Sequence, residues 1–228
     1  SAPRRTMAPG RAGSGTPGDG EAAHGDAGQI PIGRLPPLPD RAAGYRTEPL
    51  VGASIVLATS AVLVGTTHVV TGVTALDGLG WGAGLPVALV WAEAALAAAS
   101  MLYLLFGGAG VIGRSPATCY PVPAEVEERL LASGGLGGVA NVPGPEGSQA
   151  LGSYCVRCCV WRPAGASKAH HCGTCQRCVT GFDHHCGVFG RCIVRRNMPC
   201  FFALIGMMFA GMLTTMIAAT NSSVPEPP

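Results

Sequence analysis

Eight of the chain's ten cysteines lie between Cys155 and Cys192, in company with His170, His171, His184 and His185. Twelve metal-loving side chains packed into 38 residues point to metal binding, since a disulfide framework would spread its cysteines along the chain. Cys155 and Cys158 are separated by two residues, as are Cys172 and Cys175. That spacing lets both thiolates of a tight turn reach one ion at about 2.3 Å. Two tetrahedral sites need eight of the twelve candidates and leave four over. Neighbours in an extended segment point opposite ways, so His171 and Cys172 are expected to serve different ions. The same rule applies to Asp183-His184-His185-Cys186: if His185 turns to a metal, His184 and Cys186 share the other face. A histidine beside a cysteine is a general base beside a nucleophile, the pairing that makes thiolate chemistry practicable near neutral pH. A carboxylate at Asp183 could orient His184, but strict alternation sets it on the wrong face, so a local bend is required.

The elements that must position this cluster are apolar. Charged residues make up 12% of the chain, about half the usual share for a soluble domain. Leu50 to Val73 is a run of 24 residues without a charge, about 36 Å long as a helix and enough for a hydrocarbon core of about 30 Å. Residues 79–108 carry only Glu93, near Trp81 and Trp91, and form a second expected span; 200–219 is Met-rich, uncharged and a third. Three such lengths are hard to bury in so small a soluble domain. Residues 1–49 are rich in Gly, Pro, Ala and Arg with few large apolar residues, so a disordered tail is expected there. The tail holds six arginines, the short loop around Asp77 none, and the segment between spans two and three the other nine basic residues. Tail and long loop are therefore expected on the cytosolic side, and residues 220–228 on the lumenal side. Residues 109–153 read as a linker, irregular apart from a short helix near Glu125 to Leu131, with structure resuming at Tyr154. His68 is expected to be packed or interfacial, Glu93 to be paired or water-facing, and Cys119 and Cys200 to be spare apolar cysteines.

The run Cys155-x2-Cys158, Arg162-Pro163, His171-Cys172-x2-Cys175-x2-Cys178-x4-Asp183-His184-His185-Cys186-x5-Cys192, then Asn197 and Phe201-Phe202, resembles the cysteine-rich domain of the DHHC protein S-acyltransferases (palmitoyltransferases). The likeness covers about 154–202, and the helix pattern extends it to roughly 50–219. It implies an α-helical polytopic membrane protein with a small zinc-stabilised cytosolic domain between helices two and three. It further implies one zinc held by Cys155, Cys158, His171 and Cys178, and a second held by Cys172, Cys175, His185 and Cys192. Both sites would be closed Cys3His sets and so structural. Cys159, His170, His184 and Cys186 remain. The implied activity is transfer of a long-chain acyl group such as palmitate from acyl-CoA to cysteines of membrane-associated proteins. Cys186 would be the nucleophile that carries the acyl group, His184 the base, and Asp183 the group that orients His184. An internal membrane, Golgi or endoplasmic reticulum, is the implied location.

The sequence departs from the family's usual pattern at Gly187-Val188, where Pro-Trp is usual, at Arg191, where Asn is common, and at Val194, where Gly is common. Residues 164–166 lengthen a loop inside the first zinc site, at a small entropic cost. The family has at least four membrane helices, so three imply a truncated chain, incomplete as an enzyme or part of a longer product. The alternative reading is therefore a catalytically impaired zinc-binding membrane adaptor of the same fold. Nucleic-acid binding is disfavoured by a net charge of +2, by the spans and by the lack of a basic, aromatic-studded surface. A RING-like module would use the same ligand types but would not require His184 and Cys186 as a free pair.

Overall fold

A computed structural model describes residues 30–41, 45–73, 84–165 and 168–222. Three long helices carry the apolar runs: α1 (Glu48–Thr71), α2 (Gly84–Phe106) and, after two short helices described below, the C-terminal helix (Met198–Ser222). Each is long and apolar enough to cross a membrane. Side chains such as Ile55, Leu57, Val62, Leu96, Phe209 and Leu213 are exposed on the outside of this bundle, a surface costly in water and at home among lipid tails. The helix ends differ from the charge-free runs by a few residues, for local reasons. The first starts at Glu48, because an acid is favourable at a helix N-terminus and Pro49, second in the helix, gives up an amide that would be unsatisfied anyway. It stops before Gly72, which adopts the left-handed conformation (φ 65°) that closes many helices, so Val73 falls outside. Residues 79–83 of the second expected span lie outside the described residues, as do 1–29, the loop around Asp77 and 223–228.

Several polar groups between the helices find partners inside the bundle, although Glu93 Oε2 is buried without one among the described residues. Thr67 is fully buried and its Oγ1 meets Thr215 Oγ1 at 2.9 Å. Thr214 Oγ1 donates to Glu93 Oε1 at 2.9 Å, which gives Glu93 the paired role expected of it. His68 Nδ1 donates to the carbonyl of Val73 (2.7 Å) while its Nε2 accepts from Trp91 Nε1 (3.1 Å), one consistent tautomer in a helix-end packing role.

Between the second and the last long helix come α3 (Pro116–Cys119), α4 (Ala124–Leu131) and seven short strands in three antiparallel sheets. The strands are β1 (Val142–Pro143), β2 (Ser153–Cys155) and β3 (Val160–Arg162) in one sheet, then the hairpins β4 (His170–Cys172) with β5 (Arg177–Val179) and β6 (Phe182–Cys186) with β7 (Arg191–Val194); the C-terminal helix is α5. Ile112 N donates to Cys178 O and Thr180 N to Gly110 O, which stitches the chain leaving α2 onto β5.

Two expectations for the flanking segments are corrected. Residues 30–41, read as part of a disordered tail, are ordered: Ile30 and Leu35 are buried in one core with Cys119, Val122, Val126, Tyr154 and Trp161. Their few apolar residues suffice because the acceptor surface already exists, and Tyr120 Oη donates to Ile30 O at 2.8 Å. Residues 109–153 are likewise no mere linker, since Cys119, Val122 and Val126 are buried in that core, Val142 packs against it from β1, and order begins well before Tyr154. Trp161 Nε1 donates to Pro121 O at 2.7 Å and its ring packs edge-on against Tyr154. Cys119 is fully buried there.

Candidate metal centres and nucleophile

Two turns of the same design start the site. Cys155 to Cys158 and Cys172 to Cys175 each bend back so that the amide after the second cysteine donates to the carbonyl of the first: Cys159 N to Cys155 O at 2.7 Å, and Gln176 N to Cys172 O at 2.8 Å. Cys159 and Gln176 accordingly take positive φ of 53° and 54°, an unfavourable conformation for a side-chain-bearing residue, held in both places by the same turn. The sulfurs are thereby aimed at one point.

The first cluster unites Cys155, Cys158, His171 and Cys178, and the second Cys172, Cys175, His185 and Cys192; in each the ligand atoms all lie within 4.8 Å of one another. Registers explain the grouping: His171 stands opposite Cys178 in β4–β5, and His185 opposite Cys192 in β6–β7. Alternation along β4 sends His171 to one cluster and Cys172 to the other. His171 Nδ1 sits 3.3 to 3.8 Å from its three sulfurs and His185 Nδ1 3.4 to 3.9 Å from its own. Two ligands at zinc bond lengths in a tetrahedron stand about 3.6 Å apart, so both clusters fit that ion.

Charge makes the same point. Contacts with Cys158 and Cys178 hold the Cys155 thiol far below its ordinary range, whereas the contact with Cys155 raises Cys158 to about 11 and pushes Cys178 up strongly. In the second cluster the contact with Cys192 lowers Cys175 to about 5, against its burial, and Cys192 is pushed up in return. In each cluster one thiol ionises readily and its anion opposes its neighbours, Cys158 and Cys178 in the first and Cys192 in the second; a bound divalent cation is what lets such neighbours be thiolates together.

Strand β6 continues to the nucleophile. The register slips between Phe182 and His184, an irregularity of the β-bulge kind and the local bend that the sequence required. It lets Asp183 Oδ2 accept from His184 Nδ1 at 2.7 Å although the two are adjacent. His185 turns to the second cluster, while the His184 ring meets Phe201 edge-on at 5.5 Å and Cys186 packs on the apolar cluster formed by Val56, Met101, Leu104, Phe189, Ile193 and Leu204. His184 and Cys186 thus lie on the side of the strand that faces the helices. Beside them a cleft of about 410 Å³ is lined by Lys168, Phe182, Asp183, Arg195, Met198 and Phe202. Cys159 lies away from both clusters, buried with its Sγ 3.5 Å from Val156 O, and His170 stacks on Phe182 at 4.3 Å.

Residues 149–225 match the family model of the DHHC palmitoyltransferases. This stretch is similar to a DHHC domain. The match contains both clusters, the Asp183 to Cys186 tetrad and the whole of α5. No curated protein matches the chain.

Within and beside the matched stretch stand residues whose part is set by distant contacts. Arg191, at the position where the family often has Asn, donates through Nη1 to Leu105 O and through Nη2 to Gly107 O (2.8 Å). It caps the carbonyl end of α2, where a cation also meets the helix dipole favourably. Asn197 is buried, accepting from Val194 N at 2.7 Å and donating to Cys192 O at 3.1 Å, and so fixes the turn from β7 into α5. The loop after the nucleophile rests on the start of α1: a Cβ at Gly52 would lie 2.5 Å from Val188 O, and one at Gly190 2.8 Å from Glu48 Cβ. Glu48 itself bonds Arg41 and lies 3.4 Å from His185 Nε2. Only the acid at the head of an apolar run hinted at Glu48, because its partner histidine is 137 residues away.

Proposed function

We propose that the protein is an S-acyltransferase that moves a long-chain acyl group, palmitate being the natural probe, from acyl-CoA to protein cysteines by way of an acyl thioester on Cys186. The observation that carries this reading is the split of β6, with His185 toward a metal cluster and His184 and Cys186 toward the helices. Bound zinc would hold each hairpin through a closed Cys3His set, Cys155, Cys158, His171 and Cys178 in one and Cys172, Cys175, His185 and Cys192 in the other, with no open position for substrate. His184, its Nδ1 engaged by Asp183, keeps Nε2 free to take the Cys186 thiol proton. The thiolate attacks the thioester carbonyl, the bond to the coenzyme A sulfur breaks, and that sulfur leaves with the proton from His184. A substrate cysteine then gives its proton to His184, attacks the acyl carbonyl and releases Cys186. One thioester replaces another, so the protein's task is to position and activate. Lys168 and Arg195 of the neighbouring cleft are suited to coenzyme A phosphates, and the helices to the acyl chain, each CH2 of which gains about 0.8 kcal/mol out of water. Cytosolic placement of the zinc domain on an internal membrane agrees with the basic residues of residues 109–196 and with a cytosolic acyl donor.

Incubation of the detergent-solubilised chain with labelled palmitoyl-CoA tests the proposal. A hydroxylamine-labile label is expected on the wild type and on Cys159→Ser, and none on Cys186→Ser. Label that persists in Cys186→Ser would remove the proposed nucleophile. A folded, zinc-loaded wild type that takes no label would instead be an adaptor, the reading that Gly187-Val188 in place of Pro-Trp would favour.

A further inference from the structure

We propose that Glu48, the first residue of α1, is the positioning partner of the second metal cluster: its carboxylate accepts the Nε2 proton of His185 and thereby fixes His185 as an Nδ1 ligand. The inference rests on the two-zinc reading above and adds to it a residue outside the stretch that matches the family model.

A metal-ligating imidazole needs one nitrogen deprotonated toward the metal and the other protonated toward an acceptor, and an acceptor that is a carboxylate both sets the tautomer and strengthens the ligand. His185 meets both conditions. Its Nδ1 lies 3.5 Å from Cys172 Sγ, 3.4 Å from Cys175 Sγ and 3.9 Å from Cys192 Sγ. Its Nε2, on the far side of the ring, lies 3.4 Å from Glu48 Oε2. The carboxylate is held in place in turn. Arg41 Nη2 bonds the same oxygen, and Arg41 Nη1 donates to Gly190 O at 2.7 Å, so one guanidinium joins the segment before α1 to the loop that follows the nucleophile. Gly190 takes φ 59° and leaves no room for a side chain, since a Cβ there would stand 2.7 Å from Pro49 Cδ and 3.0 Å from Arg41 Nη2. Glu48 and His185 are both largely buried, with side-chain exposures of 18% and 13%, so the pair is poorly screened by solvent. The first cluster differs: the outer nitrogen of His171 is buried and without a partner among the described residues. Of the two histidines, only the one next to Cys186 has a carboxylate behind it, and that carboxylate belongs to a membrane helix.

The test compares zinc release from the full-length wild type, Glu48→Ala and Glu48→Gln in detergent, with a colorimetric chelator as the readout, and absorption spectra after cobalt replacement. Wild type is expected to hold two zinc ions. In Glu48→Ala one ion should be lost about 10 to 100-fold faster, the usual effect of removing an outer partner, while the other keeps its wild-type rate. The ligand-field bands of one of two cobalt ions should shift. Glu48→Gln keeps an acceptor for the Nε2 proton and should restore most of the difference; it also decides the matter should the alanine variant not fold. Wild-type release of both ions from either folded variant would overturn the proposal, as would equal acceleration of both, which would make Glu48 only a helix-starting acid. A wild type without two zinc ions would overturn the metal reading itself, and the inference with it.

Discussion

The two clusters use the same ligand types and yet sit in unlike surroundings. The first is buried on all four of its residues and lies in a core built from Ile30, Cys119, Val126, Tyr154 and Trp161, far along the chain in both directions. The second has His185 and Cys175 partly exposed, lies between two hairpins, and touches α1 through Glu48. Arg114 Nε donates to Cys158 O at 2.8 Å, so the first cluster is tied to the chain leaving α2, but among the described residues no carboxylate reaches its histidine. Identical ligand sets can thus do different jobs. The first sits inside the core that gathers residues 30–35, 119–126 and 154–161, whereas the second joins strand β6 to the start of α1. Ligand identity decides that a metal binds, and what lies behind the ligands decides which part of the molecule feels its loss.

Removing one ligand from each cluster is the harshest way to break the comparison. His171→Ala should cost the domain its fold, since a structural zinc contributes on the order of 10 kcal/mol to small metal domains. Both ions should be lost from the purified chain, and limited proteolysis should cut freely between residues 110 and 180. Cys192→Ser should instead lose one ion, leave residues 110–162 protected and abolish acylation of Cys186. Equal protection patterns in the two variants would erase the asymmetry. A milder cut is Gly52→Val. The new side chain collides with the Val188 carbonyl and the Phe189 ring, so the loop after Cys186 must lift off α1, at about 1 to 3 kcal/mol. Acylation of Cys186 should fall at least tenfold with both ions retained, measured by label incorporation beside zinc stoichiometry.

These contrasts also mark where sequence reasoning reached and where it stopped. Ligand pairs two residues apart, and alternation along a strand, foretell the pairs Cys155 with Cys158 and Cys172 with Cys175 and the parting of His171 from Cys172, because each depends on neighbours in the chain, whereas the places of Cys178 and Cys192 follow only from the resemblance to a known family. The bend at Asp183 was demanded by the same local rule and is present as the register slip in β6. What escaped is set by contacts between residues far apart. Residues 30–41 hold only Ile30, Ile32, Leu35 and Leu38 as sizeable apolar side chains, too few to advertise a fold, and they order against a surface 90 residues onward. Cys119 looks like a spare cysteine beside a membrane until the core around Val122 and Tyr154 is seen to enclose it. Arg191 reads as a departure from a family pattern, and only the ends of α2 reveal it as a cap.

That cap gives a smaller effect. Arg191→Ala removes two hydrogen bonds from the carbonyl end of α2 beside the second cluster, a loss of about 1 to 3 kcal/mol for charged donors. Lysine should restore less than half, because it lacks the planar fork that spans Leu105 O and Gly107 O. SDS titration of the helical signal would register the loss, while release of the first cluster's ion should be unchanged.

The smallest expected effect lies at the membrane end remote from both clusters. Thr67 and Thr215 meet hydroxyl to hydroxyl at 2.9 Å between α1 and α5, and the two protons are shared between that contact and the carbonyls of Leu63 and Gly211, each 2.8 Å from the hydroxyl of its own helix. A valine of similar shape leaves the packing intact, and the carbonyls keep their helical partners, so each single change should cost only about 0.6 kcal/mol, the average for a polar contact between membrane helices. The double variant Thr67→Val with Thr215→Val should cost less than the sum, since the shared bond is lost only once. Zinc release from either cluster and labelling of Cys186 should both stay at wild-type levels. If the valines instead speed release of the second ion, the helices transmit strain along their whole length to His185, and the division between a domain-closing cluster and a membrane-registered one becomes a matter of degree.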